Sequence, residues 1–324
     1  MIFLETFVSK ISFLNRLLND FDLIKKRNLM KNTIVVFFWL FSMVAPAQDY
    51  KLVWEDNFNK TTVDNSVWIS VLSGDGGGNK ELQYYKPENI SVGKEPVSGE
   101  NCLIITARKE FYEKKSATSG RLSTKGKMNF KYGKIVARIK LPKTANGLWP
   151  AFWMLGSDSP EAIWPKCGEI DIVEMGHKKG IDSGTQDRLF NGACHWGESW
   201  NGGSYPNKGM STTSEFSLQD GFHTFTLVWT PDSINMYLDL EKFPNTKPYF
   251  EMPITGRNDA NQTSRYFRKP FYLIFNLAVG GTFSELYDIN QITALSNGEA
   301  KMYVDYVRVY QKRNDKDEFY LFDR

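Results

Sequence analysis

Cysteine is scarce in this chain: Cys102, Cys167 and Cys194 are the only three in 324 residues. Their spacing matches no zinc pattern, and an odd number leaves at least one thiol unpaired. The fold is therefore no disulfide scaffold, and the three read as small buried hydrophobes. Histidine is equally rare, with His177, His195 and His223 alone. A surplus of one charge is missing as well. Residues 1–47 carry six basic side chains (Lys10, Arg16, Lys25, Lys26, Arg27, Lys31) and three acidic ones (Glu5, Asp20, Asp22); removing them from totals of 40 and 37 leaves 34 of each. Neutralising a polyphosphate backbone takes clustered basic charge, so no nucleic-acid partner is expected.

Long hydrophobic runs are lacking too. The stretch 34–44, IVVFFWLFSMV, has 11 residues, against the roughly 20 that cross a bilayer core. Lys31 precedes it and Ala45-Pro46-Ala47 follows it. A charged start, a short apolar run and an A-x-A site read as a signal peptide over residues 30–47, cleaved near Ala47. Residues 1–29 then read as an upstream mis-start or extension. No Cys follows the run to carry a lipid, and no transmembrane segment is expected in the mature chain. The expected location is outside the cytoplasm, in the periplasm or beyond.

What the chain does have is aromatic and β-forming sequence, with 15% Phe, Trp and Tyr. Residues 103–107, 132–141, 168–174, 222–230, 234–240, 271–279 and 302–311 are β-rich runs. Turn signals separate them, such as Asn146-Gly147, Gly202-Gly203 and Gly280-Gly281. Several runs alternate in polarity, as a half-solvated strand does. No amphipathic helix longer than about two turns interrupts them. The expectation is one all-β domain, an antiparallel sandwich over residues 48–311, followed by a charged tail at 312–324.

One run breaks the strand rule. In Gly168-Glu169-Ile170-Asp171-Ile172-Val173-Glu174, Glu169 and Asp171 share a face because side chains alternate with period two. Glu174 lies an odd number of residues from Glu169 and falls on the other face. One extra residue, a β-bulge at Ile172-Val173, brings it back. The outer carboxylates are then four effective steps apart, roughly 13 Å along the backbone. Side chains leaning together close that toward the roughly 5–5.5 Å of a retaining glycosidase, with about 6.5–9.5 Å marking an inverting one. Crowded like charges raise at least one pKa, which keeps a general acid protonated near neutrality. Solvated acids on a half-exposed strand, or a Ca²⁺ site, remain open readings of this segment alone.

Just upstream, Trp149, Trp153 and Trp164 fall within 16 positions. Pyranose C–H faces stack on aromatic rings, so tryptophan beside carboxylates suits a carbohydrate cleft. Trp153 sits in an apolar run and by itself reads as core; Trp149 and Trp164, each before a proline, read as loop or edge positions.

With these segments in view the chain resembles glycoside hydrolase family 16, in particular its laminarinase-type endo-β-1,3- and β-1,3-1,4-glucanases. The matching stretches run in order: Leu52 to Phe58, Asn79 to Tyr85, Ser119 to Leu122, Tyr132-Gly133, Trp149 to Leu155, Glu169 to Glu174, His195-Trp196, Asn276 to Gly281 and Asp305 to Tyr310. The resemblance implies a concanavalin-like β-jelly roll of two antiparallel sheets with an open concave cleft. It assigns Glu169 as nucleophile, Glu174 as acid/base and Asp171 as the assisting acid. The bulged E-x-D-x-x-E form goes with laminarinases and also with agarases, porphyranases and carrageenases. A galactan hydrolase and a non-catalytic, lectin-like glycan binder are the alternatives on the same fold.

The resemblance further implies a β-glucan substrate, met by a monomer through Trp149, Trp153, Trp164, Arg121, His195, Asn79 and Tyr85. His195 would face the acid/base, whereas His223 reads as structural. Catalysis needs no cofactor. A structural Ca²⁺ on the convex side would use backbone oxygens and Asp305, although Asn57 stands where the family usually carries Glu. After Gly280-Gly281 the chain reads Thr282-Phe283-Ser284-Glu285, where laminarinases often have an Asn-Trp-Pro-Gly-type segment.

Overall fold

A computed structural model describes residues 50–256, 262–312 and 317–321. The signal-peptide expectation for residues 30–47, and that for 1–29, lie outside the described residues. No described helix is long and apolar enough to cross a membrane.

The alternating runs pair into two sheets. The first orders β16 (Phe250–Pro253), β15 (Ser233–Leu238), β14 (His223–Trp229), β9 (Gly133–Lys140), β18 (Glu299–Lys312), β5 (Asn101–Arg108), β6 (Ala117–Ser119) and β3 (Gln83–Tyr85), with β1 (Tyr50–Asp56) on β18 and β4 (Ile90–Lys94) on β5. The second orders β13 (Asn207–Thr213), β12 (Leu189–His195), β11 (Glu169–Met175), β10 (Leu148–Gly156), β17 (Phe271–Val279), β7 (Arg121–Ser123) and β2 (Ile69–Ser70), with β8 (Met128–Lys131) on β17 and β19 (Glu318–Leu321) on β8. Pairing is antiparallel throughout except between β3 and β6. Two short helices, α1 (Lys178–Ser183) and α2 (Thr263–Phe267), sit in connections.

The core fills the space between the sheets with Trp68, Trp229, Phe130, Phe152, Phe225, Phe271 and Phe275, all shut off from solvent. Burying each such side chain contributes roughly 1.5–3 kcal/mol. In β10 the inward residues Leu148, Phe152 and Met154 are buried, while Trp149, Trp153 and Leu155 are half-buried on the opposite face. That opposite face carries the site. All three cysteines are buried and free. His223 is structural: its Nδ1 lies 2.8 Å from Asp239 Oδ2.

The charged tail is corrected in part. Residues 318–321 form β19 against β8, with Gln311 Nε2 donating to Glu318 O at 2.9 Å and Lys131 pairing with Glu318. An apolar Phe319 that packs against the core is hidden in that charged composition, and β8 offers it a free edge.

Candidate active site

Strand β11 holds the acids, and its ladders reveal the bulge. On the β12 side Asp171 faces Ala193 and Glu174 faces Asn191, three steps against two. On the β10 side Val173 faces Phe152 and Asp171 faces Trp153, so Ile172 is the extra residue. Ile172 and Val173 both point into the core. The bulge removes Ile172 O from the ladder, and the buried Tyr249 hydroxyl donates to it instead, sparing the desolvation penalty of a bare carbonyl. Glu169, Asp171 and Glu174 thereby stand opposite Leu155, Trp153 and Ala151 of β10, three successive places on one face.

Asp171 is 4% exposed, and the flanking glutamates are half-buried. An indole reaches each glutamate: Trp164 Nε1 donates to Glu169 Oε2 at 3.2 Å, and Trp149 Nε1 to Glu174 Oε1 at 2.8 Å. His195 Nε2 lies 3.3 Å from Asp171 Oδ2 and 3.9 Å from Glu169 Oε1. It therefore faces the assisting acid and the nucleophile position, not Glu174 as the resemblance implied. Among the described residues no Lys or Arg pairs with the three acids. Burial, then the Asp171 carboxyl, hold Glu169 well above the usual carboxylate range. Burial does the same to Asp171. Glu174 is pushed up to about 8 by burial and then by Asp171. The three titrate as a coupled set that cannot ionise together at neutral pH. Glu169 accepts the Trp164 indole N–H, and the His195 imidazole lies between it and Asp171.

The other expected contacts divide. Trp149 and Trp164 spend their N–H groups on the carboxylates, so they order the acids as well as line the cleft. Trp164 also packs edge-on against Tyr205, centroids 4.8 Å apart. Trp153 is half-buried on the acid-bearing face; its Nε1 donates to Asn276 Oδ1 at 2.6 Å, and the Arg121 guanidinium lies 4.7 Å over its ring. Arg121 makes no ion pair among the described residues, and its buried Nε has no partner. Tyr85 is 3% exposed and offers no open ring. Its hydroxyl donates to Glu81 Oε2 at 3.1 Å and accepts from Asn276 Nδ2 at 3.2 Å. Asn79 Nδ2 donates to Glu81 Oε1 at 3.2 Å. Glu81, Asn276, Tyr205 and Tyr249 went unassigned in the sequence reading. Glu81 and Asn276 lie inside matched segments, whereas nothing local marks Tyr205 or Tyr249.

Glu169, Asp171 and His195 each bring a donor atom within 4.8 Å of the others, the one such set among the described residues. A cation there would cover the carboxylates needed for hydrolysis. The expected calcium position does not fit a metal. The Asp305 carboxylate is paired with Arg138, whose guanidinium also lies 4.4 Å over Phe222, and Asn57 Oδ1 accepts from Arg308 Nη2 at 3.4 Å. Both oxygens face guanidinium groups, and at Asp305 the guanidinium supplies the positive charge that a metal would bring.

The sequence model of glycosyl hydrolases family 16 matches residues 79–258. The chain belongs to this family. It is 34% identical over 272 residues to a β-glucanase of Rhodothermus marinus, covering 82% of this chain and 86% of that protein. It is 35% identical over 282 residues to glucan endo-1,3-β-glucosidase A1 of Niallia circulans, covering 81% of this chain but only 38% of that longer protein. A solved family 16 structure from a Bacteroides ovatus mixed-linkage glucan locus, with a bound G4G4G3G product, superposes with a TM-score of 0.69 at 38% identity. It covers 80% of this chain and 100% of that one. The family 16 jelly roll is thus the architecture of the described residues, with the acids on its cleft face.

Proposed function

We propose that this family 16 chain is a secreted, retaining endo-hydrolase of β-1,3- or mixed-linkage β-1,3-1,4-glucan. The observation that carries this is the bulge at Ile172, which sets Glu169, Asp171 and Glu174 on one face with an indole N–H on each glutamate. A glycan-binding module has no use for three crowded acids beside its tryptophans. The named activities of the Rhodothermus and Niallia proteins, and the product bound in the Bacteroides mixed-linkage glucan structure, support glucan over galactan as substrate.

In the first step Glu174, protonated at neutral pH, gives its proton to the glycosidic oxygen as the C1–O bond breaks. A Glu169 carboxylate oxygen attacks C1 and forms a glycosyl-enzyme. Water then attacks C1, Glu174 takes its proton, and Glu169 is released. Asp171 shares protons with its neighbours and limits the net charge of the set. Next to Arg121 the acid-bearing face continues into a cavity of about 290 Å³, lined in part by Val71, Asp75, Ser123, Lys125 and Tyr272. β7 lies three strand spacings from β11, about 14 Å, which leaves room for several sugar units on that side and favours cleavage within a polymer.

Reducing-end release should be measured on laminarin, barley β-glucan, agarose and xyloglucan in parallel. Activity is expected on the first two, with kcat lowered by about 10²–10⁴ in Glu169→Gln and Glu174→Gln proteins that melt like wild type. Proton NMR of the first product should show the β-anomer. Near-normal turnover in either variant, or an initial α-anomer, would refute the mechanism; release from agarose alone would move the substrate to galactans.

A further inference from the structure

The segment that departs from its laminarinase counterparts, Thr282-Phe283-Ser284-Glu285, is clasped from two sides. Thr282 N–H donates to Asn79 O at 2.8 Å, and Lys178 N–H donates to Phe283 O at 2.9 Å. The Phe283 ring stacks flat on Trp149, centroids 4.5 Å apart and planes 9° from parallel. His177 packs edge-on against the same Phe283 ring, centroids 4.8 Å apart and planes 87° from parallel. His177 is itself fixed, because its Nδ1 caps α1 by accepting from Lys179 N–H at 2.9 Å. The indole has a single N–H, and its direction follows the ring plane. Whatever fixes that plane therefore fixes the 2.8 Å hydrogen bond to Glu174 Oε1.

We propose that Phe283 is a positioning residue for the acid/base: its ring holds Trp149 in the orientation in which the indole donates to Glu174. This rests on the assignment of Glu174 above. The groups that act on Glu174 are Trp149 on β10, which hydrogen-bonds it, Asp171 on its own strand and, through charge at longer range, His195 on β12 and Glu81 from the loop before β3. Burial, Asp171 and Glu81 favour the neutral acid, while His195 and the indole N–H favour the anion. Around His177, at the other end of the stack, stand Glu285, Lys179 and Asp182. Loosening the stack removes one of the two anion-favouring partners, so Glu174 should hold its proton to higher pH. The deglycosylation step, which needs the carboxylate as base, should then slow at neutral pH.

A ¹³C-carboxyl NMR titration of glutamate-labelled protein tests this directly, with the Glu174 resonance assigned by its loss in Glu174→Gln. Phe283→Ala and Phe283→Leu should each raise the Glu174 midpoint by about one pH unit, the equivalent of one charge-assisted hydrogen bond. Trp149→Phe should raise it at least as far. Phe283→Trp, which restores a flat ring, should titrate like wild type, and the alkaline limb of kcat/KM should move with the midpoint in every variant. A midpoint that stays put or falls in the folded Leu variant overturns the proposal. The titration needs no turnover, so it separates this failure from that of the functional reading, which would show as a wild type releasing no reducing ends from any glucan.

Discussion

Two groups of buried acids in this molecule meet opposite fates. Beside β9 two acids, Glu95 just after β4 and Asp305 on β18, each have a cation from that strand. Glu95, 2% exposed, takes Lys140 Nζ at 2.8 Å and Ser98 N–H at 2.7 Å, and Asp305 takes Arg138. Burial alone would raise the Glu95 pKa, but Lys140 and the Ser98 amide outweigh it and hold the carboxyl at about 2. On β11 three acids share one imidazole and two indole N–H groups, and burial drives all three upward. The same side chains make structure where a charge is paired and a proton store where it is not. The second arrangement costs stability, and a strand would not hold it without a use for the proton.

Removing one acid from each group should break the symmetry in opposite ways. Asp171→Asn is expected to lower kcat on laminarin by about 10²-fold without lowering Tm, because it relieves like-charge crowding. Glu95→Gln should leave kcat within about twofold and cost on the order of 1–2 kcal/mol once solvent screening is allowed for, or about 3–6 °C in Tm for a domain of this size. Calorimetry and initial rates on both proteins settle it. A stability loss in Asp171→Asn matching that in Glu95→Gln would mean that the β11 acids are structural as well.

How far this contrast was legible in the sequence depends on range. The bulge follows from parity within six residues, since Glu169 and Glu174 cannot share a face of a regular strand, and β10 and β12 carry the matching register shifts. The sandwich followed from polar alternation. The partners did not follow. Tyr249 closes the bulge from 77 residues away, and Arg138 reaches Asp305 across 167; no local pattern encodes either meeting. Trp149 and Trp164 were legible as cleft residues, but their proline neighbours marked only a loop or edge position and not that each turns its N–H onto a carboxylate. Phe283 registered only as a departure, because a stacking partner is defined by where two loops converge.

The two groups should also bend the stability profile in opposite directions with pH. Glu95 has a folded pKa of about 2, below its ordinary 4.5. Its contribution is complete above about pH 4.5 and is lost as pH falls toward 2. Glu174 has a folded pKa of about 8, above its ordinary 4.5. Its contribution is complete below about pH 4.5 and is lost as pH rises through 8. Relative to wild type, Glu174→Gln should therefore gain Tm at pH 9, whereas Glu95→Gln should lose most of its deficit by pH 2.5. Parallel pH–Tm curves for the two variants would show that pairing is not what separates the regions.

The smallest expected effect is that of calcium. If Arg138 supplies the positive charge at Asp305, adding millimolar Ca²⁺ or EDTA should move Tm by less than about 1 °C, the size of a few tenths of a kcal/mol. A site held at a hundredfold excess over its Kd would instead add about 2.7 kcal/mol, several degrees in the same scan. Arg138→Gln frees the Asp305 carboxylate and leaves it without a cation, so a calcium-dependent rise in Tm should first appear in that variant. A rise of several degrees in wild type would instead mean that the guanidinium gives way to the metal, and the Asp305–Arg138 pair would lose its place as the self-neutralised half of the comparison.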